Sequence, residues 1–131
     1  MPAFLDSNVV LYALGADDSK RAVAERLLAS SPRISAQVVN ECSHVLRRKA
    51  GWPPARLAAH LPAIFALTHV HPIGIELIRD AWRIAERYGY GHYDSLIISS
   101  ALAADCDLLY SEDLQHGQRI DRRLTITNPF V

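Results

Sequence analysis

Short apolar segments alternate with longer amphipathic segments along this chain of 131 residues. The short segments fit buried strands, and the longer ones repeat their apolar residues with helical spacing. We expect strands at 3–5, 33–35, 69–72, 108–110 and 124–127. Because strands that alternate with helices need crossover connections, the pattern predicts an α/β fold with a short central parallel sheet flanked by helices on both sides.

The same spacing places the helices between these strands, at 8–14, 20–29, 36–49, 75–88 and 95–104, with another that begins at Pro53 and Pro54. We expect Asn8 to cap the first helix and Gly51 to end the helix of residues 36–49. Pro62 lies inside the helix that follows Pro54, where its missing amide hydrogen predicts a kink or an early stop. No linker or repeat interrupts the pattern, so residues 1–131 are expected to form one domain.

Composition excludes several classes of protein. The chain is 50% hydrophobic, and its 14 basic residues balance its 14 acidic residues, which argues against a nucleic-acid binder recognised by basic charge alone. Cys42 and Cys106 lack metal-binding spacing and are expected to be buried thiols in a reducing compartment. The longest stretch without Asp, Glu, Lys or Arg, residues 57–75, is interrupted by prolines and histidines. We therefore expect a cytoplasmic protein with no membrane segment.

Acidic side chains recur where the predicted elements begin or end. Asp6 and Asp113 directly follow strands, and Glu41 lies in the first turns of a helix that itself follows a strand. Asp94 opens the helix of residues 95–104. Because ligands bind beyond the carboxyl ends of parallel strands, these carboxylates are expected to converge on one edge of the sheet.

Converging carboxylates repel one another and are costly to remove from water. Without a cation, some of them should hold protons at raised and coupled pKa values. Mg²⁺ or Mn²⁺ prefers oxygen ligands of this kind, and Mg²⁺ usually takes only one or two carboxylates. The chain therefore has enough acids for one or two ions, and paired ions about 3.5–4 Å apart can catalyse displacement at a phosphoryl group.

The motifs around these acids are FLDSNVVLYAL, VVNE, HYDSLIISSALAADCDLLYSEDLQ and LTITNPF. Together they resemble PIN-domain proteins and, more narrowly, the VapC-type toxin ribonucleases of type II toxin–antitoxin systems. The resemblance extends over nearly the whole chain, and the order and rough spacing of the four acids agree with it.

The resemblance implies a PIN-like nuclease domain over residues 1–131 that hydrolyses RNA phosphodiester bonds with Mg²⁺ or Mn²⁺. It assigns both catalysis and metal binding to Asp6, Glu41, Asp94 and Asp113. Asn8 and Ser111 match polar positions that would orient ligands or waters. The partners that it implies are an RNA substrate, a small antitoxin and a second copy of the chain. We expect the apolar run 57–65 to contribute to that homodimer face.

Each acid also has an ordinary explanation when taken alone. Asp6 and Asp94 could cap helices, and Glu41 could be a solvated helix residue. Asp113 stands beside Glu112, and only the family pattern separates the two.

The basic residues near these acids also have two possible roles. His92, His116 and the cluster Arg119, Arg122 and Arg123 could contact RNA or could be ordinary loop residues. Trp52 and Trp82 are expected to pack rather than to stack on bases.

Two other functions are compatible with parts of the pattern. A non-catalytic PIN-like module that binds RNA or protein would not need the intact set of acids. A phosphatase of the haloacid dehalogenase type would need a second aspartate two residues after Asp6, where Asn8 stands. The metal-dependent ribonuclease is therefore the preferred interpretation.

Overall fold

The computed structural model describes residues 2–131, and they alternate between strands and helices as expected. In chain order the elements are β1 (Ala3–Leu5), α1 (Ser7–Ala13), α2 (Asp18–Leu28), β2 (Arg33–Ser35), α3 (Ala36–Arg48), α4 (Pro54–Leu67), β3 (His69–His71), α5 (Ile75–Tyr88), α6 (His92–Ala103), β4 (Leu108–Tyr110), β5 (Arg119–Ile120) and β6 (Leu124–Thr127).

The strands form one sheet in the order β3-β2-β1-β4-β6-β5. All neighbouring pairs are parallel except β5 with β6, so the predicted central parallel sheet is confirmed. The order reverses next to β1, because the chain first builds outward to β3 and then returns to add β4 on the other side. Such a reversal opens a crevice at the carboxyl ends of the central strands.

The antiparallel strand β5 is missing from the sequence-based prediction. It is two residues long, and its turn to β6 has left-handed backbone at Asp121 and Arg122, with φ of 51° and 58°. Glycine or asparagine usually marks such a turn, and neither is present here. Asp121 is instead held by Arg83 at 2.6 Å and by the hydroxyl of Tyr88 at 3.0 Å. Contacts between residues distant in sequence thus stabilise a turn that the local sequence does not predict.

Two helices begin earlier than predicted, which changes the position of two candidate residues. Helix α1 is capped by Asp6, whose Oδ1 accepts the N–H of Ser7 at 2.7 Å, so the expected cap at Asn8 is wrong. Helix α6 begins at His92 after Gly91, so Asp94 lies within the first turn rather than before it. Of the two acids that could cap helices, Asp6 is therefore a cap and Asp94 is not.

Two expectations about helix ends are also corrected. Helix α3 ends at Arg48 and is capped by Lys49, so the expected cap at Gly51 lies two residues too late. Helix α4 continues through Pro62, so the expected early stop is wrong. Pro62 and Ala58, whose carbonyl loses its hydrogen-bond donor, are both exposed, so water can replace the missing bond.

The core lies between the sheet and the helices packed on it. Helix α6 contributes most, because every residue from Ser95 to Leu102 is buried. Both cysteines are buried as expected. Trp52 packs with Leu46 and Leu61 in a second, smaller cluster, as expected. Trp82 is 58% exposed, which contradicts its expected role as a packing residue. Among the helices of residues 2–131, none combines the length and apolar character that a membrane crossing requires.

The packing of α6 gives a test of the core. Ile97 is fully buried, so Ile97→Ala should lower the free energy of unfolding by about 2–5 kcal/mol through lost burial and a cavity. Ile75→Ala is the matched control, because Ile75 is 61% exposed and its loss should change stability by no more than about 0.5 kcal/mol. Urea unfolding followed by circular dichroism measures both. Equal effects of the two substitutions would contradict the central position of α6.

Candidate active site

The site starts at the ends of two neighbouring strands. β1 and β4 pair in register, with Leu5 opposite Tyr110, so Asp6 and Ser111 leave the sheet side by side. The backbone N–H of Asp6 donates to the carbonyl oxygen of Tyr110 at 3.0 Å, which extends the ladder to the site itself. The position of both side chains is therefore fixed by the most central part of the sheet.

Asp6 is only 4% exposed and is held by several donors. The hydroxyl of Ser111 donates to its Oδ2 at 2.8 Å, and the backbone N–H of Ser7 donates to its Oδ1 at 2.7 Å. These bonds lower the pKa of Asp6, but burial raises it more, and the charges of Asp94 and Asp113 add to the increase, so the pKa reaches about 6.

Asn8 connects the first acid with the last. Its side-chain amide donates to Asp6 Oδ2 at 3.3 Å and to Asp113 Oδ2 at 3.2 Å, across 105 residues of sequence in the second case. Its carbonyl oxygen accepts the backbone N–H of Glu112 at 3.1 Å. One carboxamide in the first turn of α1 thus positions the loop that follows β4 and bridges two carboxylates that would otherwise repel each other.

The neighbouring acids Glu112 and Asp113 point into different surroundings. Glu112 accepts hydrogen bonds from Tyr12 and from Lys20, each at 2.5 Å, and the Lys20 ammonium lies 4.5 Å from the centre of the Tyr12 ring. Hydrogen bonds from Lys20 and Tyr12 hold the pKa of Glu112 below its usual range. The charge of Glu112 is therefore already paired, whereas Asp113 faces Asn8 and the buried carboxylate of Asp6.

Glu41 reaches the same edge from α3. The thiol of the next residue, Cys42, lies 3.7 Å from the carbonyl oxygen of Ser7, which seats this helix against α1. Burial raises the pKa of Glu41 to about 7, with further contributions from the charges of Asp6 and Asp94. Glu41 Oε2 is buried without a hydrogen-bond partner among residues 2–131, which is unusual for a buried polar atom.

Asp94 completes the group from the first turn of α6. Burial and the charge of Asp113 both raise its pKa. Each carboxyl group with a raised pKa in this region therefore responds to at least one of the others, and all four predicted acids lie at one edge of the sheet.

The residues present fit a divalent cation. The donors are all oxygen atoms, and the buried, unpartnered Glu41 Oε2 is an atom for which a cation would compensate. Within residues 2–131, no three His, Cys, Asp or Glu side chains form a ready-made cage for a metal. An open arrangement is still consistent with Mg²⁺, since this ion keeps several waters and needs only one or two carboxylates from the protein.

Most of the basic residues near the acids make hydrogen bonds or ion pairs with other groups. His116 Nδ1 accepts the N–H of Asn128 at 2.9 Å, and Arg119 donates to the carbonyl oxygen of Arg122 at 2.9 Å. Arg123 pairs with Asp105 at 3.3 Å. These contacts stabilise strand β5, which contains Arg119, and the turn to β6, so they indicate a structural role for these residues. His92 is exposed, and its ring centre lies 5.1 Å from that of Tyr93.

Two residues that pair with Glu112 beside the acidic site are not recognisable from the sequence. Tyr12 and Lys20 decide which of the adjacent acids is free, yet Tyr12 occupies an ordinary position in α1 and Lys20 an ordinary one in α2. A single aromatic or basic residue on an amphipathic helix gives no pattern that could identify it. Their role depends on the loop that follows β4, which is about 90 residues away from Lys20 in sequence.

Comparisons with known proteins agree with this arrangement. No curated protein sequence matches the chain. Several solved structures share its fold at sequence identities below 25%. VapC20 from Mycobacterium tuberculosis, a sarcin–ricin loop cleaving toxin, superposes with a TM-score of 0.69 and 23% identity, over 85% of this chain and 89% of that one.

Two toxin–antitoxin assemblies give similar values. VapBC2 from Rickettsia felis, bound to a DNA fragment from its promoter, gives a TM-score of 0.70 and 20% identity, with 98% of each chain covered. A toxin–antitoxin complex from Klebsiella pneumoniae gives a TM-score of 0.70 and 18% identity, with 97% of each chain covered. The family profile described as PIN domain matches residues 3–121. The chain belongs to the PIN domain family.

Proposed function

We propose that this protein is a Mg²⁺- or Mn²⁺-dependent endoribonuclease that hydrolyses RNA phosphodiester bonds and is the toxin of a toxin–antitoxin pair. The observation that carries the proposal is the gathering of Asp6, Glu41, Asp94 and Asp113 at one edge of the sheet. The pKa values of the first three are raised, and Oε2 of Glu41 is buried without a partner among residues 2–131. The family and the fold shared with VapC20 add support.

In this proposal the four acids would hold one or two metal ions. The bound ion would supply an activated water and positive charge for the phosphate oxygens. Ser111 keeps the Asp6 carboxylate in one orientation through its hydroxyl, and Asn8 sets the distance between Asp6 and Asp113. Glu41 offers an oxygen atom that nothing in the described chain satisfies. These residues therefore preorganise an anionic site before substrate arrives.

The proposed partners follow from the same site. A small antitoxin would inhibit the enzyme most simply by placing a basic side chain among the carboxylates, since a guanidinium can pair with a carboxylate through two hydrogen bonds. The relatives from Rickettsia felis and Klebsiella pneumoniae are toxin–antitoxin assemblies, which supports such a partner. We also place the protein in the cytoplasm, where RNA is accessible and thiols such as Cys42 and Cys106 stay reduced.

A PIN-like module that binds RNA or a protein without cleaving it is the second candidate. The observation in its favour is that the acidic side chains of residues 2–131 form no ready-made metal cage. The two candidates differ in one outcome, which is whether purified protein with Mn²⁺ produces new RNA ends.

Cleavage should depend on the metal and on the correct member of the adjacent acidic pair. Asp113→Asn should lower kcat/KM by about 100-fold or more, because roughly 3 kcal/mol of transition-state stabilisation is at stake when a metal ligand is lost. Glu112→Gln is the matched control and should retain most of the activity, since Glu112 pairs with Lys20 instead. A fluorogenic RNA assay with Mn²⁺, with and without excess EDTA, measures both.

Two results would count against this assignment. Cleavage that persists in excess EDTA would remove the metal from the mechanism. A larger loss in Glu112→Gln than in Asp113→Asn, with both variants folded by circular dichroism, would reverse the assignment of the two acids. RNA binding with no cleavage by the wild type under any metal would favour the binding module.

Stability should fall as pH rises when no metal is present. Asp6 and Glu41 have folded-state pKa values of about 6 and about 7, above the unfolded values of about 4, so the folded protein binds more protons in this window. The resulting destabilisation is absent below about pH 4 and complete above about pH 7. For Asp6 alone it amounts to roughly 2–3 kcal/mol.

Metal should reverse this loss, because a cation stabilises the ionised carboxylates. We expect Mn²⁺ to raise Tm at about pH 7.5 and to have little effect at about pH 5. Asp6→Asn should raise Tm at neutral pH without metal and reduce the metal effect, whereas Asp107→Asn, at an exposed site, should leave both unchanged. Scanning calorimetry with EDTA or Mn²⁺ tests this. A Tm that rises between pH 5 and 7.5 in EDTA would contradict the acidic cluster.

We also propose that the protein forms a homodimer through the end of α4 and strand β3. Leu61 and Ile64 pack inward, which leaves Phe65, Leu67 and Val70 between 40% and 48% exposed. Phe65 and Val70 line one groove together with Ala36 and Val39. Light scattering should therefore report a dimer, and Phe65→Ser should shift it towards monomer. Ile75→Ser, at another exposed apolar position, should not. A wild-type monomer at micromolar concentration would refute the dimer.

A further inference from the structure

A groove of about 550 Å³ lies beside the acidic site, between α3 and the first turns of α1 and α6. We call it the α3 groove. Its wall includes Gln37, Asn40 and His44 from α3 and Tyr93 from α6. Glu41 and Ser7 also line it, so the groove opens directly onto the acids. The proposed chemistry at the acids does not account for the other four side chains.

The polar side chains on the α3 side of the groove all lie on one face of that helix. Gln37, Asn40 and His44 follow one another at intervals of three and four residues, which places them on the same face. Within residues 2–131 the carboxamides of Gln37 and Asn40 take part in no hydrogen bond, although their neighbours Ser35 and Ser43 do. Each carboxamide therefore presents an unused donor and an unused acceptor.

The opposite side of the groove carries an exposed aromatic ring. Tyr93 is 61% exposed, although it lies at the start of α6, which is otherwise the most buried helix. The adjacent His92 ring packs against it in an edge-to-face arrangement, with the ring centres 5.1 Å apart. A large ring held in this way next to a phosphate-processing site offers a flat surface on which a base can stack.

The charge of the groove favours a base over a phosphate. Among residues 2–131, no Lys or Arg lines it, and Glu41 contributes negative charge at its inner end. A backbone phosphate would meet neither a lysine nor an arginine there, whereas a neutral base needs only stacking, an apolar contact such as Val45, and hydrogen-bonding groups in its plane.

We infer that the α3 groove binds a single unpaired nucleobase of the RNA next to the phosphate at the acids. Tyr93 stacks on the base, and the carboxamides of Gln37 and Asn40 read its polar edge. These residues then contribute to substrate choice without taking part in the chemistry. The identification of RNA as the source of the base rests on the proposed ribonuclease function.

The inference can be tested by NMR titration of the full chain in EDTA with the four nucleoside 5′-monophosphates and with ribose 5-phosphate. Base-dependent shifts should concentrate on the amides of Gln37, Asn40, His44 and Tyr93, and one base should bind more tightly than the others. Tyr93→Ala should weaken that binding by roughly 5-fold or more, the range found for base stacking on aromatic side chains. Asn40→Ala should alter the order of preference among the bases.

Two variants provide the controls. Tyr93→Phe keeps the ring and should bind like the wild type. Trp82→Ala removes an aromatic ring of similar exposure, 58%, that does not line the groove, and it too should bind like the wild type. Equal binding of ribose 5-phosphate, no base-dependent shifts at millimolar nucleotide, or unchanged binding in Tyr93→Ala would each overturn the inference. The inference would also be wrong if Tyr93→Ala weakened the binding of a protein partner but not the binding of nucleotides.

The cleavage assay separates this inference from the function on which it rests. If the wild type cleaves RNA but shows no base-selective shifts in the groove, the inference is wrong and the ribonuclease proposal stands. If base-selective binding is present but no metal supports cleavage, the groove is confirmed as a base site and the catalytic proposal fails. In an active enzyme, Tyr93→Ala should raise KM more than it lowers kcat, and Asn40→Ala should change the bases found at the cleavage ends.

Discussion

The burial of one carboxylate at the end of the central strand determines much of this structure. Asp6 is almost inaccessible to water, and its ionised form would be expensive without compensation. Three local features provide that compensation, namely the start of α1, the hydroxyl of Ser111 and the amide of Asn8. The compensation is incomplete, since the pKa of Asp6 remains raised. The site therefore retains an affinity for protons or cations, which is the property that a metal-dependent nuclease needs.

A second interaction determines which of two adjacent acids belongs to the acidic site. Lys20 and Tyr12 pair with Glu112, and this removes one negative charge from a loop that already brings Asp113 towards Asp6. The same contact joins α1, α2 and the loop after β4, and the ring of Phe130 packs against Tyr12 at 4.8 Å. Adjacent acids thus have separate roles, one in holding the loop in place and the other at the proposed metal site.

The sequence predicted the elements well where hydrophobic spacing is strong and local. Strands β1, β2, β4 and β6 and helix α5 have the expected bounds, because each is a distinct apolar run or an amphipathic repeat. The errors have different causes. Strand β5 is too short to show a period, and its turn relies on contacts to Arg83 and Tyr88. Pro62 does not end α4, because solvent can satisfy the exposed carbonyl and the buried Leu61 and Ile64 hold the helix in place.

Apart from β5, the sequence alone determined which segments become strands and helices, and it placed an acid near a strand end or a helix start at each of the four site positions. That information is local, since it depends on spacing within about one element at a time. Only the tertiary structure decided that Asn8 bridges Asp6 and Asp113, that Glu112 is paired with Lys20, and that Tyr93 faces Asn40 across a groove. These relations join residues from about 50 to more than 100 positions apart, and contacts at that distance follow from how the elements pack rather than from any pattern along the chain.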